Sequence, residues 1–157
     1  LRAAFALADA AGAKGMVGGQ VIDLQSEGKA ISLAELETLQ RGKTAALIAA
    51  ACEMGCHIGG GTPQEIEAAR RFGTELGLGF QIVDDILDVT STPEALGKPV
   101  GGDEKNAKVT YVSLLGLKGA ANLAAERTEK AVLALAPFEE EGAALCSLAR
   151  ALLERTA

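Results

Sequence analysis

The sequence predicts an all-α fold. Apolar residues recur at helical spacing along most of the 157 residues, and runs of strictly alternating apolar and polar residues, the sign of half-buried strands, are not evident. Two helix starts carry a capping box, in which Ser32 is followed by Glu35 and Thr62 by Glu65. Because 48% of the residues are hydrophobic, the chain is able to bury a core of about one domain.

The helices are predicted from the apolar spacing and from the residues that start and stop them. The first, residues 1–11, opens without an N-cap residue, which indicates a piece of a longer chain. Glycines 12, 15, 18 and 19 follow and are expected to allow close helix contact. The second capping box is followed directly by Pro63, a residue typical of the first helical position. The remaining predicted helices are residues 33–58, with a candidate kink near Gly42, 63–89, 109–115, 119–136, and a last one after Pro137.

Residues 93–108 form a predicted loop that is rich in glycine, proline, lysine and aspartate. A loop of this length inside a compact domain indicates a function beyond connecting two helices. No internal repeat, low-complexity tract or domain linker is evident, so one domain is expected.

The composition excludes several classes of function. Fifteen basic against 21 acidic residues give a net charge of −6, and the absence of a basic block argues against a nucleic-acid surface. The longest uncharged apolar run, residues 45–52, is too short to span a membrane. Three cysteines argue against a disulfide framework and favour a reducing compartment, so we expect a cytoplasmic protein.

The predicted helix 63–89 carries an acidic stripe. At about 100° per residue, Gln81, Asp84, Asp85 and Asp88 fall within roughly 100° of one face. The helix supplies no cation one turn before or after them, and the apolar residues around them indicate a helix buried on nearly all sides. Like charges in a poorly solvated place share protons or bind metal, and oxygen ligands alone favour a hard ion such as Mg²⁺. The alternative is a solvated acidic patch near a helix end.

The loop that follows supplies positive charge. Lys98, Lys105 and Lys108 lie after the acidic stripe in chain order, in a segment whose glycines allow it to fold back. We expect Lys98 and Lys108 to form a lid over an anion, and Lys105 to be either part of it or an ordinary exposed lysine.

These residues resemble a known family. The stretch 80–88, Phe-Gln-Ile-Val-Asp-Asp-Ile-Leu-Asp, is similar to the second aspartate-rich motif of the head-to-tail trans-prenyl diphosphate synthases. Residues 97–103 followed by Lys108 resemble the lysine-bearing loop of that family. Residues 18–24, 42–48 and 110–111 agree with it in order and spacing. Within the family, the resemblance is closest to bacterial enzymes of the farnesyl diphosphate synthase type.

The resemblance implies a fold and a reaction. The fold is the C-terminal half of a helical bundle around a central cavity. In the reaction an allylic diphosphate ionises, isopentenyl diphosphate attacks the carbocation, and a longer prenyl diphosphate forms. By motif match, Asp84 would hold Mg²⁺ directly, and Asp85 and Asp88 would fix its water shell. Lys43 and Lys98 would neutralise the leaving diphosphate, since the developing negative charge is the main barrier.

The resemblance also implies roles for residues beside the diphosphate. Thr44 and Gln81 would lie next to the carbocation and the departing proton. Gln20 and Asp23 would line the same cavity, with Lys108 among the substrate-binding residues, and Phe80 would position the isopentenyl tail.

Half of the family's active site has no match in this sequence. The first aspartate-rich motif, the arginine pair after it and the basic residues that bind isopentenyl diphosphate belong to the N-terminal half of the family. We therefore expect the chain alone neither to turn over nor to bind isopentenyl diphosphate tightly. Family members commonly dimerise through helices, so a homodimer is expected. The product is expected to be farnesyl diphosphate, although its length is normally set by residues upstream of the first motif.

Two other functions remain open. One is a non-catalytic or degenerate helical subunit of a prenyl synthase complex, which the presence of the whole acid and lysine set disfavours. The other is a class I terpene cyclase, which fits the lysine loop and the glycine-glycine-glutamine stretch less well.

Other motifs fail on inspection. Residues 42–44 resemble the end of a phosphate-binding P-loop, but Glu37 stands where that loop needs glycine, and a helix is predicted where it needs a strand. Cys52, Cys56 and His57 would need a distant fourth ligand to bind zinc, so core packing is the favoured interpretation. The aspartates do not follow the ligand ladder of an EF-hand, and the glutamate–histidine pairs of a di-iron bundle are absent.

Overall fold

The computed structural model describes residues 1–91 and 108–155, and within these ranges the regular elements are helices. This confirms the predicted all-α class. In chain order the helices are α1 (Arg2–Ala11), α2 (Met16–Ser26), α3 (Leu33–Gln40), a π-helical turn (Arg41–Ala45), α4 (Ala46–Ile58), α5 (Pro63–Thr90), α6 (Tyr111–Ala134), a 3₁₀ segment (Ala136–Gly142) and α7 (Ala143–Leu153).

Both predicted capping boxes are present. The Ser32 hydroxyl accepts a hydrogen bond from the backbone N–H of Glu35, and the Glu35 carboxylate accepts one from the backbone N–H of Ser32 at 2.7 Å. Thr62 and Glu65 repeat this arrangement at the start of α5, with Pro63 in the first turn. These hydrogen bonds satisfy backbone N–H groups that the first turn of a helix leaves without partners, so both predicted boundaries are confirmed.

The predicted kink near Gly42 is a π-helical turn inside a continuous helical region that runs from α3 to α4. At this turn α2 approaches so closely that a Cβ atom on Gly19 would lie 2.2 Å from the backbone nitrogen of Lys43. A Cβ on Gly42 would lie 3.2 Å from the Cα of Gly19. The two glycines therefore allow the close helix contact that the sequence predicted, and the contact places α2 directly against Lys43.

The long helix α5 lies at the centre of the fold, between α4 and α6. Two further glycines bring α4 close, because a Cβ on Gly73 or Gly77 would meet backbone atoms of Ala49 or Ala45 at 2.5–2.6 Å. The predicted burial of α5 holds for most of its C-terminal half, where Ile82, Val83 and Leu87 are buried. Val89, near the end of the helix, departs from it, with half of its surface exposed.

The predicted helices 109–115 and 119–136 are one element, α6, broken in direction at Gly116, whose φ of 68° only glycine adopts readily. Its start is a third capping box, between Thr110 and Ser113. The helix predicted after Pro137 begins later, at Ala143, because residues around the proline form the 3₁₀ segment.

Two apolar clusters form the core. One joins α3, α5 and α6 around Leu36, Ile82 and Tyr111, and the other joins α5, α6 and α7 around Phe72 and Leu135. Between the helices, Arg127 on α6 donates to Glu75 on α5 at 2.9 Å and to Glu37 on α3 at 2.7 Å. These charge-assisted hydrogen bonds fix three helices relative to one another. None of the described helices is long and apolar enough to cross a membrane.

Candidate functional site

The three aspartates of the acidic stripe lie in different environments at the C-terminal end of α5. Asp85 and Asp88 are buried, with 4% and 6% of their surfaces exposed. The side chain of Asp84 is about one-third exposed, at 34%. The spacing of Asp84 and Asp88 by four residues puts them one helical turn apart on the same face. The stripe is therefore a partly buried acidic face and not a solvated patch.

Asp84 has a cationic neighbour from the end of the chain. A guanidinium nitrogen of Arg155, which follows α7, lies 3.4 Å from Asp84 Oδ1. The same guanidinium lies over the ring of Phe80, 5.1 Å from its centroid, at a distance typical of a cation–π contact. The helix itself carries no cation one turn before or after the stripe, and Arg155 supplies one from 71 residues further along the chain.

Asp85 accepts hydrogen bonds at both carboxylate oxygens. Gln81 Nε2 donates to Oδ1 at 2.9 Å, and the backbone N–H of Tyr111 donates to Oδ2 at 2.9 Å. The single proton of the Thr44 hydroxyl is shared between two amide oxygens, that of Gln81 at 3.3 Å and that of Gln40 at 3.2 Å. A continuous polar chain therefore joins the π-helical turn, α5 and the first residue of α6.

Two lysines share one carboxylate on the neighbouring elements. Lys43 Nζ, on the π-helical turn, lies 2.5 Å from Asp23 Oδ2 on α2, and Lys108 Nζ lies 3.6 Å from the same oxygen. The side chain of Asp23 is only 12% exposed, whereas both lysines are about 30% exposed. Asp23 thus holds two ammonium groups together while leaving each of them accessible to an anion. Gln20, one turn before Asp23 on α2, is half-buried.

The acidic face fits a hard divalent ion through Asp84 and Asp88. Mg²⁺ in proteins typically takes one or two carboxylates and completes its shell with water and substrate phosphates. The Asp88 carboxylate is nearly buried, yet within the described residues no hydrogen bond or ion pair to it is present, so its oxygens are available. No group of three or more His, Cys, Asp or Glu side chains among those residues is arranged to hold a metal alone, so the remaining ligands would come from water and an anion.

The described structure brings most of the predicted site residues together. Asp23 contacts both Lys43 and Lys108. Gln81 contacts both Thr44 and Asp85. Arg155 contacts both Phe80 and Asp84. Lys98 and Lys105 lie outside the described residues, as do the glycines of the predicted lid. The residues that sequence reasoning missed are Arg155 and the backbone N–H of Tyr111.

Neither missed group has a local signal in the sequence. Arg155 is a single arginine near a helix end, and only the packing of α7 beside α5 brings it to Asp84. The predicted match at residues 110–111 drew attention to Tyr111, but nothing indicated that its main chain rather than its ring would contact the acidic stripe.

The cysteine and histidine cluster takes part in packing and in one contact between an imidazole and a carboxylate. Burial raises the pKa of the Cys52 thiol, which packs against the second apolar cluster, and His57 Nε2 lies 3.4 Å from the carboxylate of Glu53. A cavity of about 520 Å³ lies elsewhere, between α1, α2, α4 and α5, and none of the predicted site residues lines it. The chemistry-bearing residues therefore lie apart from that cavity.

The comparisons with known proteins agree with this geometry. A model of the polyprenyl synthetase family matches residues 6–143. The farnesyl diphosphate synthase of Geobacillus stearothermophilus is 41% identical over 155 residues, which are 99% of this chain and 52% of that protein. The geranylgeranyl pyrophosphate synthase 9 of Arabidopsis thaliana is 45% identical over 147 residues, 92% of this chain and 41% of that protein.

A solved structure shows the same fold. The geranyltransferase of Helicobacter pylori, complexed with magnesium and isoprenyl diphosphate, superposes with a TM-score of 0.81 at 34% identity, covering 98% of this chain and 50% of that one. The chain thus spans about half the length of the relatives that it matches. With most of its length matched by the family model, this chain belongs to the polyprenyl synthetase family.

Proposed function

We propose that this chain is the C-terminal part of a single all-α prenyltransferase that joins an allylic diphosphate to isopentenyl diphosphate and releases diphosphate. The observation that carries the proposal is the contact of Thr44 with Gln81, at 3.3 Å. It brings the π-helical turn, with Lys43, against the face of α5 that bears Asp84 and Asp88. Cations and carboxylates then flank one place, which is the arrangement that a metal-bound diphosphate requires.

Each residue has a distinct part in this proposal. The ammonium groups of Lys43 and Lys108 bind the diphosphate oxygens and stabilise the charge that grows on them when the allylic C–O bond breaks. Asp84 and Asp88 hold Mg²⁺, which neutralises further charge on the leaving group. The oxygens of Thr44 and Gln81 face the carbocation and stabilise it, while the buried apolar residues beside them exclude water that would trap it. Lys98 adds a further cation, Gln20 and Asp23 line the same cavity, and Phe80 positions the isopentenyl tail.

The product, assembly and location are the finer parts of the proposal. Farnesyl diphosphate is supported by the bacterial relative that aligns with 99% of the chain, although the plant relative is named for a longer product. A homodimer is supported by exposed apolar side chains on the first two helices, such as Phe5, Val17 and Leu24. A cytoplasmic location is supported by the three cysteines, all of which are free thiols in the described structure.

Calorimetric titration with inorganic pyrophosphate, with and without Mg²⁺, tests the site in the 157-residue chain. We expect binding that requires Mg²⁺ and that the Asp88→Asn variant weakens by at least about tenfold, since a charge-assisted contact contributes about 1.5–3 kcal/mol. Glu126→Gln, which alters an exposed carboxylate paired only with Lys130, is the control and should bind as the wild type does. Binding that is independent of Mg²⁺ would contradict the proposal, and no binding at all would favour the non-catalytic subunit.

A condensation assay tests the reaction. The chain alone, supplied with labelled isopentenyl diphosphate, geranyl diphosphate and Mg²⁺, is expected to form no prenyl product, because the residues that bind isopentenyl diphosphate belong to the other half of the family. The gene product that carries both halves is expected to form farnesyl diphosphate, identified by chromatography. Turnover by the chain alone would overturn the expectation that the two halves are both needed.

A further inference from the structure

The carboxylate of Asp85 joins two helices of the described structure. It is 4% exposed, and its two oxygens accept hydrogen bonds from different elements, Gln81 on α5 and Tyr111 on α6. Asp84 is one-third exposed, and its contact with Arg155 is a longer one, at 3.4 Å. Asp88 receives no hydrogen bond from the described residues. Asp85 therefore has a structural task, the linking of Gln81 on α5 to the first turn of α6.

The hydrogen bond from Tyr111 places the negative charge of Asp85 at the start of a helix. Tyr111 is the first residue of α6 after the N-cap Thr110, and its backbone N–H is one of the groups that the helix itself cannot satisfy. A carboxylate at that position is further stabilised by the helix dipole, whose positive end lies there. Asp85 therefore caps the start of α6 with its carboxylate. The negative charge also contributes to raising the pKa of the Tyr111 side chain, after burial and Glu37.

The hydrogen bond from Gln81 to Asp85 determines which way the Gln81 amide faces. Because Nε2 donates to Asp85 at 2.9 Å, the amide oxygen must point to the opposite side, where it lies 3.3 Å from the Thr44 hydroxyl. The reversed amide would set its oxygen against a carboxylate that has no proton to donate. Asp85 thus orients an oxygen of Gln81 toward the π-helical turn that carries Lys43.

We propose that Asp85 is a positioning residue, whose carboxylate fixes the Gln81 amide and the first turn of α6, and that Asp84 and Asp88 supply the carboxylates for the divalent ion. This assignment rests on the proposed function, because it divides the work within the same site. It differs from the motif-based expectation, in which Asp85 fixes the water shell of the metal. The hydrogen bond from Tyr111 also ties the start of α6 to the C-terminal end of α5.

A matched pair of variants, Asp85→Asn and Asp84→Asn, tests the assignment, because both remove one charge at adjacent positions. In Asp85→Asn we expect the Tyr111 backbone amide to exchange with solvent about tenfold faster, and the side-chain NH₂ signal of Gln81 to move in the ¹⁵N spectrum. Mg²⁺-dependent pyrophosphate affinity should fall by no more than about fivefold, through the loss of a neighbouring charge. Asp84→Asn should reverse this pattern, with both NMR signals unchanged and affinity about a hundredfold lower.

The outcomes separate the positioning role from the proposed function. If Asp85→Asn weakens Mg²⁺-dependent binding as much as Asp84→Asn and leaves the Tyr111 and Gln81 signals unchanged, Asp85 is a metal ligand and the assignment is overturned. If neither variant alters the binding of pyrophosphate with Mg²⁺, the proposed function fails, whereas the two NMR signals still decide what Asp85 does.

The wild-type chain provides a second test that does not depend on the folding of a variant. When Mg²⁺ and pyrophosphate are added to saturation, the Tyr111 amide should exchange as slowly as before or more slowly, because Asp85 keeps its hydrogen bonds. Faster exchange of that amide on saturation would show that the carboxylate has turned to the metal, which overturns the assignment.

Discussion

The ammonium group of Lys43 lies 2.5 Å from the carboxylate of Asp23, and that carboxylate is also 3.6 Å from Lys108. Two cations therefore meet at one acidic group, and the site keeps an excess of positive charge where α2 meets the π-helical turn. An arriving anion can replace part of the interaction with Asp23, because both lysine side chains remain about 30% exposed.

Replacing Lys43 with methionine should reduce the affinity of the chain for pyrophosphate in the presence of Mg²⁺. We expect a loss of about tenfold or more, since a hydrogen bond to a charged group contributes about 1.5–3 kcal/mol. Calorimetric titration measures this, and Lys118→Met, at an exposed lysine on α6, is the matched control. Equal losses in the two variants would mean that the effect is one of net charge and not of the site.

Replacing Arg155 with alanine should strengthen the binding of Mg²⁺. The guanidinium of Arg155 competes with the ion for Asp84. Because the side chains of Arg155 and Asp84 are each about one-third exposed, their interaction contributes about 0.2–1 kcal/mol. Its loss should therefore raise the affinity for Mg²⁺ by up to about fivefold. Arg150→Ala, at an exposed arginine on α7, should leave the affinity unchanged. Weaker Mg²⁺ binding in the Arg155 variant would instead indicate that the guanidinium supports the site.

Replacing Gly19 with alanine should destabilise the fold and disturb the position of Lys43. The new Cβ would meet the rigid backbone of the π-helical turn at 2.2 Å, and overpacking of this kind costs about 1–3 kcal/mol. Gly55, inside α4, has open space where a Cβ would lie, so Gly55→Ala should stabilise the helix by about 0.5–1 kcal/mol. Urea unfolding followed by circular dichroism measures both changes, and the account predicts opposite signs.

The stability of the fold should fall as the pH rises above about 10, through Tyr111. Burial, with the charges of Glu37 and Asp85, raises the pKa of this phenol above its ordinary value of 10.0. Above pH 10 the unfolded chain releases the proton while the folded chain keeps it, so stability decreases by about 1.4 kcal/mol per pH unit until the raised pKa is reached. Tyr111 is the only tyrosine in the chain, so near-ultraviolet absorbance reports its ionisation directly. Tyr111→Phe should remove this part of the pH dependence, and ionisation of Tyr111 in the folded chain near pH 10 would contradict the prediction.

The sequence was sufficient wherever the deciding interactions are local. The starts of α3 and α5 follow from hydrogen bonds between residues three apart, which a short motif contains completely. The acidic face of α5 follows from helical spacing alone. The break in α6 was predicted as a gap between two helices, because Gly116 and Gly119 both weaken the helical pattern.

The sequence was insufficient where partners come from distant parts of the chain. Arg155 reaches Asp84 across 71 positions, and Tyr111 reaches Asp85 across 26, so no local pattern contains either pair. The close approach of Gly19 to Gly42 at the π-helical turn likewise depends on how α2 packs, which no local pattern contains. The family resemblance gave Asp85 and Asp88 the same role, that of fixing the water shell of the metal, and only the hydrogen bonds from Gln81 and Tyr111 distinguish Asp85.

Anomalous diffraction from crystals of the chain grown with Mn²⁺ in place of Mg²⁺ and with pyrophosphate tests the central claim most directly. The account predicts a metal peak at coordination distance, about 2.1 Å for Mg²⁺ and slightly longer for Mn²⁺, from a carboxylate oxygen of Asp84 or Asp88. It also predicts pyrophosphate oxygens in the same coordination shell and Lys43 against the diphosphate. Pyrophosphate bound elsewhere, or a metal peak away from the acidic face of α5, would contradict it.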